Sequence, residues 1–141
     1  MCKRESKESD NGDIKNIMAK ILIIDDEIQT TNLLEMLLSE RGYETVSVND
    51  SSMAIQEANS TKPDLILLDL MMPEPDGFKV CRMLREETHF MFTPIIIITA
   101  LDDTDSKIVA YGAGADSYLV KPYDIDELTS VIKSLLPNNT K

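Results

Sequence analysis

The chain has 141 residues, of which 43% are hydrophobic and 28% are charged, and its formal net charge is −11 at pH 7. This length and composition predict one globular domain with its own core, and no apolar run approaches the length that a membrane span needs. Phosphate backbones would repel so acidic a domain, which argues against direct binding of nucleic acid.

Residues 1–19 are polar and show no hydrophobic period, and their charges cancel, so the acidic excess belongs to the rest of the chain. We expect them to form a disordered leader. Their start lacks the apolar core of a signal peptide, which favours a cytoplasmic protein. Cys2 lies in this leader and Cys81 in a predicted helix, so two reduced thiols are a simpler interpretation than a disulfide.

From Lys20 onward, apolar runs alternate with segments of helical spacing, a pattern typical of a parallel sheet with helices between its strands. The first run is continuous rather than alternating, as expected of a strand that is covered on both faces. The five predicted strands are residues 21–24, 43–48, 65–68, 95–98 and 117–120. With right-handed crossovers, this pattern predicts an α/β fold, a three-layer α/β/α sandwich.

The first predicted helix carries leucines at one-three-one spacing, which predicts one buried stripe. These leucines are Leu33, Leu34, Leu37 and Leu38. Gly42 is placed to end that helix in a left-handed cap. Residues 52–60 are predicted to form a short second helix that Pro63 ends.

Three further helices are predicted from apolar spacing and capping residues. The third carries Phe78, Cys81 and Leu84 on its buried face, and the fourth spans about residues 103–112. The fifth begins at Asp124, whose side chain can cap a helix N-terminus. Five helices therefore alternate with the five strands.

Reactive side chains follow the predicted strands in the order Asp25-Asp26, Asp69, Thr99, Lys121. Because ligands of an open parallel sheet bind outside the carboxyl ends of its strands, we expect these side chains in one pocket. Three carboxylates at the ends of neighbouring strands repel one another unless a cation lies among them, and Mg²⁺ fits best. An aspartate beside a metal can accept a phosphoryl group, which an ammonium and a hydroxyl can then bind.

Each of these residues also has an ordinary structural explanation. Asp25 and Asp26 could cap a helix, and Asp69 could lie in a turn. Thr99 could be a β-branched strand end and Lys121 a solvated turn residue. Their shared order, with a helix-sized gap between each pair, is what favours a single phosphoryl-binding pocket.

Five stretches of the chain resemble the receiver domain of two-component response regulators. They are IIDDE at 23–27, DLILLDLMMP at 64–73, DG at 76–77, TA at 99–100 and GADSYLVKP at 114–122. The resemblance covers about residues 20–136 and implies a five-stranded parallel sheet in the flavodoxin-like order 2-1-3-4-5. It also implies a CheY-like receiver domain over residues 20–137, followed by a short tail of residues 138–141.

The resemblance assigns a role to each acidic residue of the pocket. Asp69 matches the phosphoacceptor, which takes a phosphoryl group from a histidine kinase, a phosphotransfer protein or a small donor such as acetyl phosphate. Mg²⁺ would be bound by Asp26 directly, by Asp25 largely through water, by Asp69 and by the backbone carbonyl of Met71. The resemblance therefore implies a Mg²⁺-dependent aspartyl phosphate.

The remaining pocket residues match the part of the family site that binds the product and reports it. Thr99 and Lys121 match the pair that binds the phosphoryl group and, with Asp69, make up the catalytic set. Tyr118 matches the aromatic residue that turns inward once Thr99 has shifted. The peptide bond before Pro122 is expected to be cis.

The implied function is a phosphorylation-controlled switch that acts on a downstream protein target, as a monomer or a phosphorylation-dependent dimer, with no membrane contact. Its signalling face would be made by the fourth helix, the fifth strand and the fifth helix. Ile108, Tyr111 and Tyr118 could belong to that face, although amphipathic packing explains Tyr111 equally well. We expect no enzymatic activity beyond the protein's own phosphorylation and dephosphorylation.

Two other classes of protein are less consistent with the sequence. An aspartyl-phosphate phosphatase usually carries a second Asp two residues after the nucleophile, where this chain has Met71. A structural pseudo-receiver typically loses pocket residues, and this chain has lost none.

The side chains two residues after Asp69 and Thr99 are Met71 and Leu101, which are both apolar. Some members of the family have polar groups at these positions that help to orient the attacking water. The two apolar side chains therefore predict slow loss of the phosphoryl group without a partner phosphatase.

The sequence leaves two architectures open within the family. The leader slightly favours a stand-alone receiver that docks to a target or passes the phosphoryl group along a relay. The alternative is the receiver fragment of a multidomain transcriptional regulator or hybrid histidine kinase.

Overall fold

The computed structural model describes residues 19–136. One sheet is formed by five strands, β1 (Lys20–Ile24), β2 (Glu44–Val48), β3 (Leu65–Leu68), β4 (Ile95–Thr99) and β5 (Ser117–Val120). All neighbouring strands are parallel, and their order is β2-β1-β3-β4-β5. The predicted sheet and its order are confirmed, and each predicted strand agrees with the observed one to within a residue at either end.

Five α-helices connect and follow the strands, together with two short 3₁₀ turns at Ser51–Met53 and Thr88–Phe90. The helices are α1 (Ile28–Ser39), α2 (Ala54–Thr61), α3 (Gly77–Glu86), α4 (Thr104–Gly112) and α5 (Ile125–Leu135). Aspartate side chains cap three of them by accepting a backbone N–H of the first turn, which satisfies a donor that the helix itself cannot pair. These caps are Asp76, Asp103 and Asp124.

The helices cover both faces of the sheet. Buried residues of α1 and α5 pack against one face, and buried residues of α2, α3 and α4 pack against the other. Successive residues of a strand point to opposite faces, so Leu22 and Ile24 join one core while Ile21 and Ile23 join the other. The predicted three-layer sandwich is therefore confirmed.

The buried stripe of α1 differs from the predicted one. Leu34 and Leu38 are buried together with Thr31, but Leu33 is 53% exposed. Consecutive helical residues are rotated by about 100°, so Leu33 and Leu34 cannot both face the sheet squarely. The prediction for Leu33 was wrong because leucine spacing alone did not reveal that a threonine shares the buried stripe.

The ends of the first two helices depend on left-handed residues. Gly42 has φ +92°, as predicted, although α1 itself ends three residues earlier. The cap of α2 is Lys62, with φ 53°, and its N–H donates to the carbonyl of Ala58 at 2.9 Å. The helix thus ends in a lysine cap before Pro63 is reached.

Several expectations concern residues outside the described part of the chain. The leader lies outside it apart from Ala19, and so do Cys2 and the tail of residues 138–141. Cys81 is a buried free thiol on α3. Among residues 19–136, no helix has both the length and the apolar character required to cross a bilayer.

Candidate functional site

Three carboxylates meet at the carboxyl ends of two neighbouring strands. Asp25 and Asp26 follow β1, and Asp69 follows β3, with which β1 pairs in parallel register. One carboxylate oxygen of each lies within 4.8 Å of the others. Asp25 and Asp69 are buried while Asp26 is exposed, so the cluster has a closed inner side and an open outer side.

Backbone groups hold the two buried aspartates. The N–H of Glu27 donates to Asp25 Oδ1 at 3.0 Å, and the N–H of Met71 donates to Asp69 Oδ1 at 3.1 Å. Each carboxylate thus accepts from the residue two positions later, as aspartates in tight turns commonly do. The N–H of Asp69 also donates to the carbonyl of Ile24 at 3.0 Å, which extends the β1–β3 pairing into the site.

Lys121 supplies the positive charge of the site. Its Nζ lies 3.4 Å from Asp25 Oδ2 and 3.6 Å from Asp69 Oδ2. Its backbone N–H donates to the carbonyl of Thr99 at 2.8 Å, which fixes the turn after β5 against the end of β4. The peptide bond between Lys121 and Pro122 is cis, as the resemblance implied.

Thr99 is fully buried at the end of β4, and its hydroxyl oxygen accepts a long hydrogen bond of 3.4 Å from the N–H of Leu101. The hydroxyl also contributes to the environment of Asp69. Burial raises the pKa of Asp69, an effect that the Met71 N–H, the Lys121 ammonium and the Thr99 hydroxyl oppose. The structure therefore brings Thr99 into the same site as the three aspartates and Lys121.

The donor set is suited to a small hard cation. Three carboxylates and one ammonium carry a formal charge of −2, which a divalent cation would neutralise. An open cavity of about 370 Å³ gives access to them. It is lined by Asp26, Glu27, Asp69, Met71, Ala100 and Lys121. Both an ion with bound waters and a phosphoryl group could therefore reach Asp69.

Tyr118 lies beside the site on β5, but its side chain contacts the β4–α4 connection and α4. Its hydroxyl donates to the carbonyl of Leu101 at 2.8 Å, two residues after Thr99. Its ring centroid lies 6.4 Å from that of Tyr111 and 5.9 Å from the ammonium of Lys107. Ile108 and Tyr111 are exposed on α4, so an apolar surface adjoins the ring of Tyr118.

Two polar residues of the β2–α2 connection also support the site, and sequence reasoning missed both. The side-chain amide of Asn49 donates to the backbone carbonyl of Asp25, and the hydroxyl of Ser51 donates to the carbonyl of Pro73. The only signal for Asn49 was an asparagine directly after a strand, which is equally typical of an ordinary turn.

Comparison with known proteins identifies relatives over most of the described chain. The family model of the response regulator receiver domain matches residues 21–133. The alkaline phosphatase synthesis transcriptional regulatory protein PhoP of Bacillus subtilis is 39% identical over 117 residues, which are 83% of this chain and 48% of PhoP. Response regulator ArlR of Staphylococcus saprophyticus is 42% identical over 119 residues, 84% of this chain and 53% of ArlR. The chain thus spans about half the length of these curated relatives.

Solved structures agree with this comparison. The chemotaxis protein CheY4 of Vibrio cholerae superimposes with a TM-score of 0.81 and 30% sequence identity. The superposition covers 85% of this chain and 100% of the CheY4 chain.

Proposed function

The chain belongs to the receiver domain family of response regulators, which act in two-component signalling, and on that premise we propose that Asp69 accepts the phosphoryl group in a Mg²⁺-dependent reaction. One observation carries the assignment. The carboxylate of Asp69 lies beside those of Asp25 and Asp26 and 3.6 Å from the ammonium of Lys121, in a cavity open to solvent.

The reaction at Asp69 is a nucleophilic displacement at phosphorus. A carboxylate oxygen of Asp69 forms the new O–P bond while the P–N bond of a phosphohistidine, or the P–O bond of acetyl phosphate, breaks. The leaving group departs with the bonding electron pair, and an imidazole leaving group takes up a proton. We propose a histidine kinase or phosphotransfer protein as the donor.

The acidic residues would bind Mg²⁺ in distinct ways. Asp26 and Asp69 are proposed as direct carboxylate ligands, the carbonyl of Met71 as a third ligand, and Asp25 as a ligand acting largely through water. The charge imbalance and the raised pKa of Asp69 support this fit, because both are relieved by a cation among the carboxylates. When bound, Mg²⁺ would neutralise the carboxylates and the incoming phosphoryl oxygens.

Lys121 and Thr99 are proposed to bind the phosphoryl group once it is on Asp69. The ammonium already lies within 4 Å of two carboxylates, and the hydroxyl of the buried Thr99 contributes to the environment of Asp69. A shift of Thr99 toward the product would move Leu101, whose carbonyl accepts the hydroxyl proton of Tyr118. Loss of that hydrogen bond would free Tyr118 to turn inward and would change the surface formed by α4, β5 and α5.

The output of the domain is proposed to be a protein–protein interaction through this surface, as a monomer or a phosphorylation-dependent dimer. We propose no turnover of an external substrate, because the site provides an acceptor without the second aspartate of a phosphatase. Direct nucleic-acid binding is disfavoured by the net charge of −11. A cytoplasmic location agrees with the free thiol of Cys81.

Two architectures share this chemistry. A stand-alone receiver is supported by CheY4, whose chain is matched over its whole length. A receiver within a longer regulator is supported by PhoP and ArlR, which are matched over about half of theirs. The reaction at Asp69 is the same in both.

Intact-mass analysis after incubation with Mg²⁺ and acetyl phosphate tests the proposal. We expect one phosphoryl group on the parent protein and none on Asp69→Asn. The matched control is Asp64→Asn, because Asp64 is exposed and precedes the first residue of β3, whereas Asp69 follows the last. We expect Asp64→Asn to be phosphorylated normally. An adduct on Asp69→Asn would contradict the assignment, as would a folded parent that gains none from acetyl phosphate or phosphoramidate.

A further inference from the structure

The side chain of Asn49 joins two segments that lie on either side of Asp26. Asn49 directly follows the last residue of β2. Its Nδ2 donates to the backbone carbonyl of Asp25 at 2.9 Å and to the hydroxyl oxygen of Thr31, on the first turn of α1, at 3.0 Å. One side chain thus spans the turn that connects β1 to α1.

The two anchored ends of this turn are themselves fixed. The N–H of Asp25 donates to the carbonyl of Val48, the last residue of β2, at 3.1 Å, while the carbonyl of Asp25 accepts from the side chain of Asn49, so both backbone polar groups of Asp25 are hydrogen-bonded. Thr31 is 1% exposed, and its hydroxyl donates to the carbonyl of Ile28 at 3.0 Å while accepting from Asn49. Residues 26–30 therefore lie between two points that Asn49 holds together.

This contact requires a side chain that donates two hydrogen bonds. An asparagine NH₂ group has two protons, and here two acceptors use them. An aspartate at position 49 would place a carboxylate oxygen, which can only accept, against the Asp25 carbonyl and the Thr31 hydroxyl oxygen. A leucine would leave both of these oxygens without the hydrogen bond from residue 49. The contact is therefore specific to the donor pair, although the shape could be retained by other side chains.

Electrostatic repulsion among the carboxylates gives such an anchor a role. Asp26 is exposed and lies beside two buried carboxylates, of which Lys121 can neutralise only one. Repulsion favours movement of Asp26 away from the other two carboxylates. The turn that carries Asp26 can resist this movement only if both ends of the turn are held in place. If the turn is already held in place in the folded protein, less conformational entropy is lost when the carboxylates come together around a cation.

We propose that Asn49 is a positioning residue for the Mg²⁺ site: it holds the 25–31 turn so that Asp26 stays within reach of Asp25 and Asp69 before the ion binds. This inference rests on the proposed function. Groups that orient metal ligands typically contribute 10- to 100-fold to affinity. Because Asn49 acts on the backbone and not on a ligand atom, we expect its loss to raise the Mg²⁺ dissociation constant by roughly 3- to 10-fold.

The test compares Asn49→Leu, which keeps the approximate shape and removes both donors, with Asn59→Leu. Asn59 is an exposed asparagine on α2 and serves as the matched control. Mg²⁺ is titrated while backbone amide shifts of residues 26 and 71 are followed by NMR. The Mg²⁺ concentration that gives half the maximal rate of phosphorylation by acetyl phosphate is measured in parallel.

We expect the dissociation constant and the half-maximal Mg²⁺ concentration to rise together in Asn49→Leu, with the rate at saturating Mg²⁺ within about twofold of the parent. A purely structural defect would lower the rate at every Mg²⁺ concentration, and that result would overturn the inference. An unchanged dissociation constant in the folded variant would overturn it too.

A second variant keeps the inference testable if Asn49→Leu does not fold. Thr31→Val removes one of the two acceptors of Asn49, together with the bond from the Thr31 hydroxyl to the Ile28 carbonyl, and leaves the bond to the Asp25 carbonyl, so a smaller rise in the dissociation constant is expected. No rise in that variant would count against the anchor. A parent protein that bound no Mg²⁺ would instead refute the proposed function, whereas normal parental binding with unchanged variants refutes only the role of Asn49.

Discussion

Gly77 packs directly against the backbone carbonyl of Asp69. A β-carbon on residue 77 would collide with that oxygen and would lie 2.5 Å from the α-carbon of Leu70. The N–H of Gly77 donates to the carbonyl of Leu70 at 3.1 Å, so the first residue of α3 is also hydrogen-bonded to the segment that follows β3. The backbone of the proposed phosphoacceptor and the start of α3 are thus in contact without room for a side chain.

Gly77→Ala should therefore destabilise the protein, by about 1–3 kcal/mol as overpacked sites do. It should also slow phosphorylation, because relief of the collision must move either α3 or the backbone of Asp69. Gly112→Ala is the control: a β-carbon there meets no atom within 4 Å. Urea unfolding of the two variants measures the difference, and equal stability would show that the contact is easily relaxed.

Asp69→Asn should stabilise the protein at pH 7 when divalent cations are absent. Burial raises the pKa of Asp69 above its ordinary value of 3.8, so the folded state disfavours the ionised form. This cost is present above the folded pKa and disappears below the unfolded pKa, where both states are protonated. The advantage of Asp69→Asn should thus shrink as the pH falls toward 4.

Urea unfolding in EDTA at pH 7 and at pH 4.5 checks this prediction. Addition of Mg²⁺ at pH 7 should reduce the difference in unfolding free energy between Asp69→Asn and the parent, because Mg²⁺ that binds the native parent stabilises the parent. A variant less stable than the parent at pH 7 in EDTA would mean that the bonds from Met71 and Lys121 outweigh the effect of burial.

Met71→Asn should shorten the lifetime of the aspartyl phosphate several-fold. The side chain of Met71 is 54% exposed at the cavity that contains Asp69, so a polar replacement costs little packing. An amide there could orient the water that attacks phosphorus, which the thioether cannot do. Decay is followed by intact mass after removal of acetyl phosphate, with Met83→Asn on exposed α3 surface as the control. Equal lifetimes in Met71→Asn and the parent would refute the prediction.

Arg85→Met should destabilise the protein by about 2–4 kcal/mol. The guanidinium donates to the carbonyls of Gly114, Phe90 and Thr93 at 3.0, 2.6 and 2.7 Å, and to the carboxylate of Asp116 at 2.8 Å. Methionine keeps much of the apolar stem and removes every donor. These contacts tie the end of α3 to the segments before β4 and β5.

Urea unfolding measures the loss, with Arg82→Met on the exposed side of the same helix as the control. The extent of phosphorylation at low temperature should stay normal in Arg85→Met, because these contacts lie at the opposite edge of the sheet from Asp69. Loss of phosphorylation in a folded Arg85→Met would show that the two edges are coupled.

The strands and the position of the site could be predicted from the sequence, because they follow from the pattern of apolar residues and from general rules for parallel sheets. Continuous apolar runs located β1, β3 and β4 because only a strand covered on both faces can accommodate them. The site followed from topology, since parallel strands bring their carboxyl ends to one edge and so unite Asp25, Asp69 and Thr99. The family resemblance then added roles that spacing alone does not give.

What could not be predicted depends on contacts between segments far apart in the chain. Asn49 supports the Asp25 turn from 24 residues away, and nothing local distinguishes it from a turn asparagine. Leu33 was assigned to the buried stripe because of the one-three-one spacing of the leucines, whereas Thr31 completes that stripe. Lys62 caps α2 in a conformation that lysine rarely adopts and that no sequence pattern signals.

The uneven burial of the sheet has a dynamic consequence. Residues of β1, β3 and β4 from Ile21, Leu65 and Ile95 onward are at most 3% exposed, whereas Ser117, Tyr118 and Val120 of β5 are partly exposed. Amide protons of the three inner strands should therefore exchange only through global unfolding, while those of β5 exchange through smaller local openings. Asp69 belongs to the slowly exchanging centre and Lys121 to the faster margin, so a phosphoryl group bound by both should slow exchange in β5 as well as in β3, because local opening of β5 and global unfolding would each break its contact with Lys121.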